Sequence, residues 1–168
     1  VRNLLDLNQL EFGDEKIQFE RFDLTELVKG VLQSMELFAE QKQAKVSFRQ
    51  TEPLYVWGDE YKIEQVVRNY VSNAFNHLAG DMVVEVKIEV KDGIARTTVF
   101  NTGKPIPEED ISHIWEKFYK VDKAHTREYG GNGIGLSIVK AIMESLHRKY
   151  GVENYDNGVA FWFELEVK

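Results

Sequence analysis

The clearest pattern of apolar and polar positions lies in VVEVKIEVK, residues 83–91, where valine and isoleucine alternate with glutamate and lysine. This period of two predicts a β-strand with one buried face. Asp92-Gly93 follows directly and is typical of a tight hairpin turn. We therefore expect a second strand that continues through Phe100.

Shorter runs predict further strands. KVSFRQ (45–50) and LYVWGD (54–59) are candidate strands on either side of a proline. A second hairpin is predicted between residues 152–156 and 159–167, across Asn157-Gly158.

Helical periodicity occupies the intervening segments. Asp23 and Glu26 form a capping box ahead of an apolar run, and Asp59 is a second N-cap candidate. Helices are predicted over about 24–43, 60–77, 107–119 and 135–147. The fold class is α/β: a two-layer sandwich in which about three helices cover a mixed, mostly antiparallel sheet of about five strands.

The amino-acid composition excludes several classes of function. The chain has 168 residues, 43% hydrophobic and 29% charged, which is typical of one soluble globular domain. A net charge of −7 without a basic stretch argues against nucleic acid as a partner. No cysteine is present, so disulfides and cysteine-ligated metals are excluded. No apolar run approaches the roughly 18 residues that span a bilayer, so no membrane contact is expected here.

Four glycines in six residues, Gly130 to Gly135, lead into an amphipathic helix. A P-loop requires a lysine after its last glycine, but Leu136 stands there. A dinucleotide-binding turn requires a preceding strand, which the polar segment before Gly130 does not predict. A loop that presents backbone amides and a helix N-terminus to phosphates remains, beside the simpler alternative of a flexible connector before a buried helix.

Asparagines favour the phosphate interpretation. At 100° per residue, Asn73 and His77 lie about 40° and 80° from Asn69, with Asn76 at about 340°. These polar side chains form one stripe beside an apolar face centred near about 130°, comprising Ile63, Val67, Tyr70 and Ala74. Asparagine is a poor helix former, and its amide oxygen can bind Mg²⁺. A solvated polar face is the alternative.

The segment FNTGKPIP, residues 100–107, follows the first predicted hairpin. Asn101 could offer its amide to the edge of a base, and Gly103 would let the ring approach the backbone. An ordinary asparagine-containing turn is the alternative.

Together these segments resemble the catalytic ATP-binding domain of bacterial two-component sensor histidine kinases, within the superfamily that also contains gyrase, Hsp90-type chaperones and mismatch-repair ATPases. NYVSNAFNHL resembles the N box, NTGKPI the first glycine box, IWEKFYKVD the F box and GGNGIGLSIV the second glycine box. Their order and spacing also match the family.

The resemblance implies ATP and Mg²⁺ as cofactors and assigns roles to residues. Asn73 would be the Mg²⁺ ligand with Asn69 as helper, and these two residues would be the catalytic pair. The lid would cover about 104–130. The other nucleotide-binding residues implied are Asn76, His77, Asn101, Gly103, Ile106, Phe118, Tyr119, Lys120, Arg127, Gly131, Gly133, Gly135 and Leu136.

Three positions depart from the family pattern or carry mechanistic meaning. The family usually has aspartate at Asn101 and lysine at Asn76, so we expect weaker nucleotide binding and not its loss. The superfamily's hydrolases have a glutamate base at the position of Asn69, and an amide cannot act as that base. We therefore expect slow hydrolysis.

The resemblance also predicts the setting of the domain. Residues 1–13, with leucines at near-heptad spacing, resemble the tail of a dimerisation helix, and residues 14–168 would form the ATP-binding domain. None of the four histidines lies in an acidic phosphoacceptor box, so we expect no autophosphorylation by this chain alone.

The expected partners are its own dimerisation domain and a response regulator, in a homodimeric parent. That parent would be a bacterial membrane sensor with this domain in the cytoplasm. A non-catalytic nucleotide sensor or interaction module of the same fold is the alternative.

Overall fold

The structure is a computed structural model that describes residues 16–119 and 134–168. The strands in this part of the chain are β1 (Glu20–Asp23), β2 (Lys45–Phe48), β3 (Tyr55–Gly58), β4 (Val83–Lys91), β5 (Ile94–Thr102), β6 (Tyr150–Tyr155) and β7 (Gly158–Val167). The α-helices are α1 (Leu24–Ser34), α2 (Glu36–Gln41), α3 (Glu60–Asn76) and α4 (Gly135–Ser145).

The strands form one mixed sheet in the order β1-β3-β7-β5-β4-β2. β5 pairs along one edge of β7, and β6 and β3 share the other edge. Only the β2–β4 pair is parallel among these pairings. The two-layer α/β class is confirmed. The described residues form seven strands where about five were expected, and β1, a four-residue edge strand, had not been predicted.

The hairpins follow from local chemistry. Asp92 and Gly93 both have positive φ, 53° and 78°, which matches the twist of a two-residue hairpin turn. The second hairpin differs by one position from its prediction. Tyr155 pairs with Gly158, so the turn is Asp156-Asn157 and Gly158 is already in β7.

Helix α3 lies at the centre of the helical layer. The Asp59 carboxylate caps it by accepting a hydrogen bond from the Lys62 amide at 3.2 Å, as predicted. The four residues expected to centre its buried face are at most 1% exposed: Ile63, Val67, Tyr70 and Ala74. α3 packs against both α1 and α4, so its position is determined on two sides.

The helix predicted from Asp23 to about Gln43 is interrupted at Met35. The Ser34 hydroxyl donates a hydrogen bond to the Val31 carbonyl at 2.8 Å, a local contact that competes with helical geometry. Met35 has φ −107° and ψ 12°, and a second short helix starts after it.

The helix predicted over 107–119 is wrong. The chain forms one 3₁₀ turn at Glu108–Asp110, followed by irregular turns. Phe118 has φ +63°, a left-handed conformation that an α-helix does not contain.

Candidate functional site

The asparagines of α3 lie along one edge of the helix, between its buried face and solvent. Asn69, Asn73 and Asn76 are each partly exposed, and His77 ends the helix in an exposed position. Within the described residues, none of the three side-chain amides makes a hydrogen bond. No donor from the described part of the chain therefore competes with a ligand for their oxygens.

The structure brings this edge against the start of α4. A Cβ built on Gly135 would lie 3.3 Å from Oδ1 of Asn69. Glycine thus permits a close approach between the N box and the second glycine box, which are separated by more than sixty residues in sequence.

The first turn of α4 has no side-chain cap. Its N-cap residue Ile134 is buried, and the Ser137 hydroxyl donates to the Ile134 carbonyl instead of accepting from a backbone amide. The first amides of a helix have no intrahelical partner, and they carry the positive end of the helix dipole. Gly135 and Leu136 thus present the kind of backbone that binds anions, adjacent to Asn69.

Asn101 is 2% exposed near the end of β5. Its Nδ2 donates to the His77 carbonyl at 3.4 Å and to the Thr102 carbonyl at 3.0 Å. Both partners are acceptors only, so the amide orientation is determined: nitrogen faces the backbone and Oδ1 is left over. Oδ1 accepts no hydrogen bond from any described residue.

Gly103 follows in a conformation with φ +154°. A Cβ at this position would lie 2.5 Å from the His77 carbonyl oxygen, closer than any side chain tolerates. The end of β5 therefore packs directly on the end of α3.

Thr102, which was not predicted, strengthens the same junction. Its carbonyl accepts from the Ala79 amide and its hydroxyl from the Val83 amide, each at 3.0 Å.

The segment after Gly103 is tied to the second hairpin. Asn154 of β6 accepts from the Ile106 amide at 2.9 Å and donates to the Ile106 carbonyl at 2.8 Å. The Gly103 amide donates to the Asn157 carbonyl at 3.0 Å. Asn154 was missed by sequence reasoning, because nothing local distinguishes it from other strand residues.

The F-box segment is anchored by residues upstream of Phe118. Ile114 is buried, and Trp115 makes edge contacts with Tyr150 and Phe161 at centroid distances of 4.9 and 5.8 Å. Phe118 itself is 60% exposed. Within the described residues, the aromatic side chain that anchors the F-box segment is thus Trp115 and not Phe118.

Tyr119 lies beside Asp110 and His113. Its hydroxyl donates to the Asp110 carboxylate, and its ring stacks on His113 with centroids 5.2 Å apart. The hydrogen bond to Asp110 raises the pKa of Tyr119, with smaller contributions from desolvation and nearby carboxylates. The hydroxyl is therefore a hydrogen-bond donor at neutral pH.

Four predicted site residues lie outside the described residues: Lys120, Arg127, Gly131 and Gly133. The same holds for residues 1–13 and for residues 120–130 of the predicted lid.

The asparagine oxygens of this site fit Mg²⁺ only if a bound ligand supplies further oxygen donors to the ion. Across 16–119 and 134–168, no cluster of three or more histidine, aspartate or glutamate side chains could hold a metal ion. The amide oxygens of Asn69 and Asn73 are hard donors, but two neutral oxygens leave most of an octahedral shell to water and phosphate. This is the arrangement expected when Mg²⁺ arrives with a nucleotide.

The fold is a two-layer sandwich whose central helix has asparagines along one edge. A glycine-led helix packs against that edge, and a glycine turn lies at the end of a strand. This combination defines the class of ATP-binding domains shared by histidine kinases, gyrase and Hsp90. Residues 58–168 match the family described as "Histidine kinase-, DNA gyrase B-, and HSP90-like ATPase", and the chain belongs to this family. Its relatives and solved neighbours identify it as a histidine kinase ATP-binding domain.

Two relatives and two solved structures illustrate the similarity. The autoinducer 2 sensor kinase/phosphatase LuxQ of Vibrio cholerae is 32% identical over 99% of this chain and 20% of its own length. The drug sensory protein A of Synechocystis is 32% identical over 99% of this chain and 27% of its own length. The catalytic domain of histidine kinase ThkA has a TM-score of 0.77 and 32% identity, covering 89% of this chain and 95% of that domain. ThkA in complex with response regulator TrrA has a TM-score of 0.79 and 29% identity, covering 99% of this chain and 48% of that one.

The chain thus spans only about a fifth to a quarter of the length of these two relatives. Among the helices that the structure describes, none combines the length and apolarity needed to cross a membrane.

Proposed function

We propose that this domain binds ATP with Mg²⁺ and donates the γ-phosphoryl group to a histidine that lies outside these 168 residues. The observation that carries the proposal is the close approach of Asn69 to Gly135, because an amide oxygen with no partner among the described residues then lies beside the start of a helix that has no side-chain cap. One group suits a cation and the other suits phosphate, so together they suit a metal-bound nucleotide.

The phosphate end of the site would lie between α3 and α4. Asn73, one turn after Asn69 on the same edge, would ligate Mg²⁺, with Asn69 as its helper. Bound Mg²⁺ would offset charge on the phosphate oxygens during transfer. The amides of Gly135 and Leu136 would contact phosphate oxygens from the other side.

The base end would lie at the end of β5. Oδ1 of Asn101 is an acceptor with no partner among the described residues, so it suits the exocyclic amino group of adenine. The aspartate usual in the family also presents an acceptor. The neutral residue of this chain thus keeps the required hydrogen-bond polarity and loses only the charge.

The reaction breaks the bond between the γ-phosphorus and the bridging oxygen and forms a bond from phosphorus to an imidazole nitrogen, leaving ADP. Asn69 cannot deprotonate water, which disfavours hydrolysis as a competing outcome. No histidine of this chain stands in an acidic acceptor box. The acceptor would be on the dimerisation domain of a homodimeric parent.

Transfer onward to a response regulator is the last step of the proposal. Support comes from the relatives, which are sensor kinases, and from the neighbour ThkA, which was solved with a response regulator. By the same reasoning, the domain would lie on the cytoplasmic side of a bacterial membrane sensor.

The direct test is calorimetric titration of the chain with Mg²⁺ and the non-hydrolysable analogue AMPPNP. We expect saturable binding that EDTA abolishes. Asn73→Ala should lose the Mg²⁺-dependent part of binding and keep its unfolding midpoint. Arg68→Ala is the matched control. Arg68 is on the same helix but lies away from the asparagine edge, where its guanidinium pairs with the Glu64 carboxylate at 3.1 Å. No binding by the unsubstituted chain at millimolar analogue would refute the proposal.

Asn101→Asp tests the base end. From sequence alone, restoring the family's aspartate would be expected to tighten binding. The hydrogen bonds of Asn101 argue against tighter binding, because the second carboxylate oxygen would face the His77 and Thr102 carbonyls that now accept from Nδ2. We expect adenine nucleotides to bind no more tightly than to the unsubstituted chain, by calorimetry at matched pH. Tighter binding would contradict the deduced amide orientation.

The alternative function is a nucleotide sensor or interaction module without phosphoryl transfer. The substitutions at Asn76 and Asn101 are its support in the sequence. Supplying the parent's histidine-bearing domain with this chain and γ-labelled ATP separates the two: labelled histidine supports the kinase, and binding without label supports the sensor.

A further inference from the structure

The segment between Gly103 and Pro107, here called the strap, leaves β5 and leads to the F-box segment. Pro105 and Pro107 flank Ile106 and have no backbone N–H. Ile106 therefore has the only backbone amide donor in residues 105–107. The conformation of this part of the strap therefore depends on how one residue is held.

Asn154 satisfies both backbone groups of that residue. Its Oδ1 accepts from the Ile106 amide at 2.9 Å, and its Nδ2 donates to the Ile106 carbonyl at 2.8 Å. A carboxamide bound in this way replaces a neighbouring strand residue, which would exchange the same two hydrogen bonds with its partner. The Ile106 side chain is meanwhile partly buried against the core.

The other end of the strap is held independently. The Gly103 amide donates to Asn157, and Gly103 sits against the His77 carbonyl beside Asn101. The strap thus connects the proposed base end of the site to the F-box segment, and both of its fixed points lie on the β6–β7 hairpin.

We propose that Asn154 is a positioning residue for nucleotide binding: it holds the Ile106 backbone so that the strap keeps a fixed edge beside the adenine position. This inference rests on the proposed function, because it assigns Ile106 and Asn101 to the same ligand. Asn154 does not contact the nucleotide itself and acts through the strap.

The test compares Asn154→Ala with Glu153→Ala, whose side chain is exposed on the adjacent position of the same strand. Two lost hydrogen bonds predict that Asn154→Ala weakens AMPPNP binding by about tenfold, while Glu153→Ala binds like the unsubstituted chain. Hydrogen exchange at the Ile106 amide should accelerate only in Asn154→Ala.

A second variant, Asn154→Asp, distinguishes positioning from general packing. At pH 7.5 its ionised carboxylate still accepts from the Ile106 amide but cannot donate to the Ile106 carbonyl, although it has nearly the shape of the amide. We therefore expect Asn154→Asp to bind AMPPNP about as weakly as Asn154→Ala. Binding equal to that of the unsubstituted chain would overturn the positioning role.

The outcomes separate the two proposals. If the unsubstituted chain binds AMPPNP, and Asn154→Ala binds equally well although its Ile106 amide exchanges faster, the inference is wrong and the proposed function stands. If the unsubstituted chain binds no nucleotide while its Ile106 amide is protected, the proposed function fails and the inference fails with it.

Discussion

The core between sheet and helices and the rim of the candidate site satisfy their polar groups in opposite ways. In the core, β7 is paired on both edges, and the face of α3 that packs on the sheet is inaccessible to solvent. Phe163 of β7 and Val67 of α3 are both 0% exposed. At the rim, the side-chain amides of Asn69 and Asn73 have no hydrogen-bond partner among the described residues, and the first turn of α4 has no side-chain cap.

The difference shows which region determines stability and which determines binding. Burial of apolar side chains stabilises the fold without reference to a ligand. Unpaired amides at a partly exposed edge contribute little to stability, yet they are the groups that a metal-bound nucleotide requires. Substitutions in the two regions should therefore separate stability from affinity.

The largest expected effect is in the core. Phe163→Ala removes a fully buried ring, and we expect the free energy of unfolding to fall by about 3–5 kcal/mol. Urea denaturation measures it. Leu37→Ala, at a side chain that is 68% exposed on α2, should change it by less than about 0.5 kcal/mol. Equal losses would contradict the assignment of the core.

Gly103→Ala should affect both properties. A Cβ would strike the His77 carbonyl at 2.5 Å, in a backbone conformation that disfavours side chains, so we expect a loss of about 1–3 kcal/mol of stability and at least about tenfold weaker nucleotide binding. Gly93→Ala is the matched control, since it shares a positive φ but meets nothing within 4 Å. It should lose stability and keep its affinity.

Tyr70→Phe removes a hydrogen bond within the core. The Tyr70 hydroxyl donates to the Trp162 carbonyl at 3.0 Å, so its loss should cost about 1 kcal/mol. Burial raises the pKa of Tyr70 well above 10. The unfolded chain therefore binds fewer protons than the folded one above pH 10, and stability falls as pH rises there. That decline should be shallower in Tyr70→Phe, and parallel pH profiles would contradict the burial effect.

Thr97→Val should give the smallest effect, with the opposite sign. The Thr97 hydroxyl is buried and has no hydrogen-bond partner in the described part of the chain, so removing it should raise stability by up to about 1 kcal/mol. Thr98→Val, at the next and partly exposed position, should be nearly neutral in the same thermal unfolding experiment. A destabilised Thr97→Val would mean that the hydroxyl has a partner after all.

Much of the fold was predictable because its signals are local. The alternation in β4, the Asp92-Gly93 turn and the Asp59 cap each specify structure within a few residues. The predictions failed where apolar spacing alone suggested a continuous helix. Ser34 ends α1 through a side-chain hydrogen bond, and residues 107–119 form turns although their apolar spacing is compatible with a helix.

The candidate site divides in the same way. The asparagine edge of α3 was predictable from helical geometry, and its residue types suggested Mg²⁺ and phosphate. The orientation of Asn101 was not predictable, since it depends on two carbonyls that fold against its nitrogen. Asn154 was also out of reach, because its partner Ile106 is 48 residues away in sequence.

The sequence by itself determined the two hairpins, most of the helices, the buried face of α3 and the family resemblance, because periodicity and motif order are properties of neighbouring residues. Only the tertiary structure decided that Gly135 lies beside Asn69, that Asn101 presents an oxygen and that Asn154 holds the strap. These are contacts between segments distant in sequence, and close packing of helices on the sheet sets the distances at which their polar atoms meet.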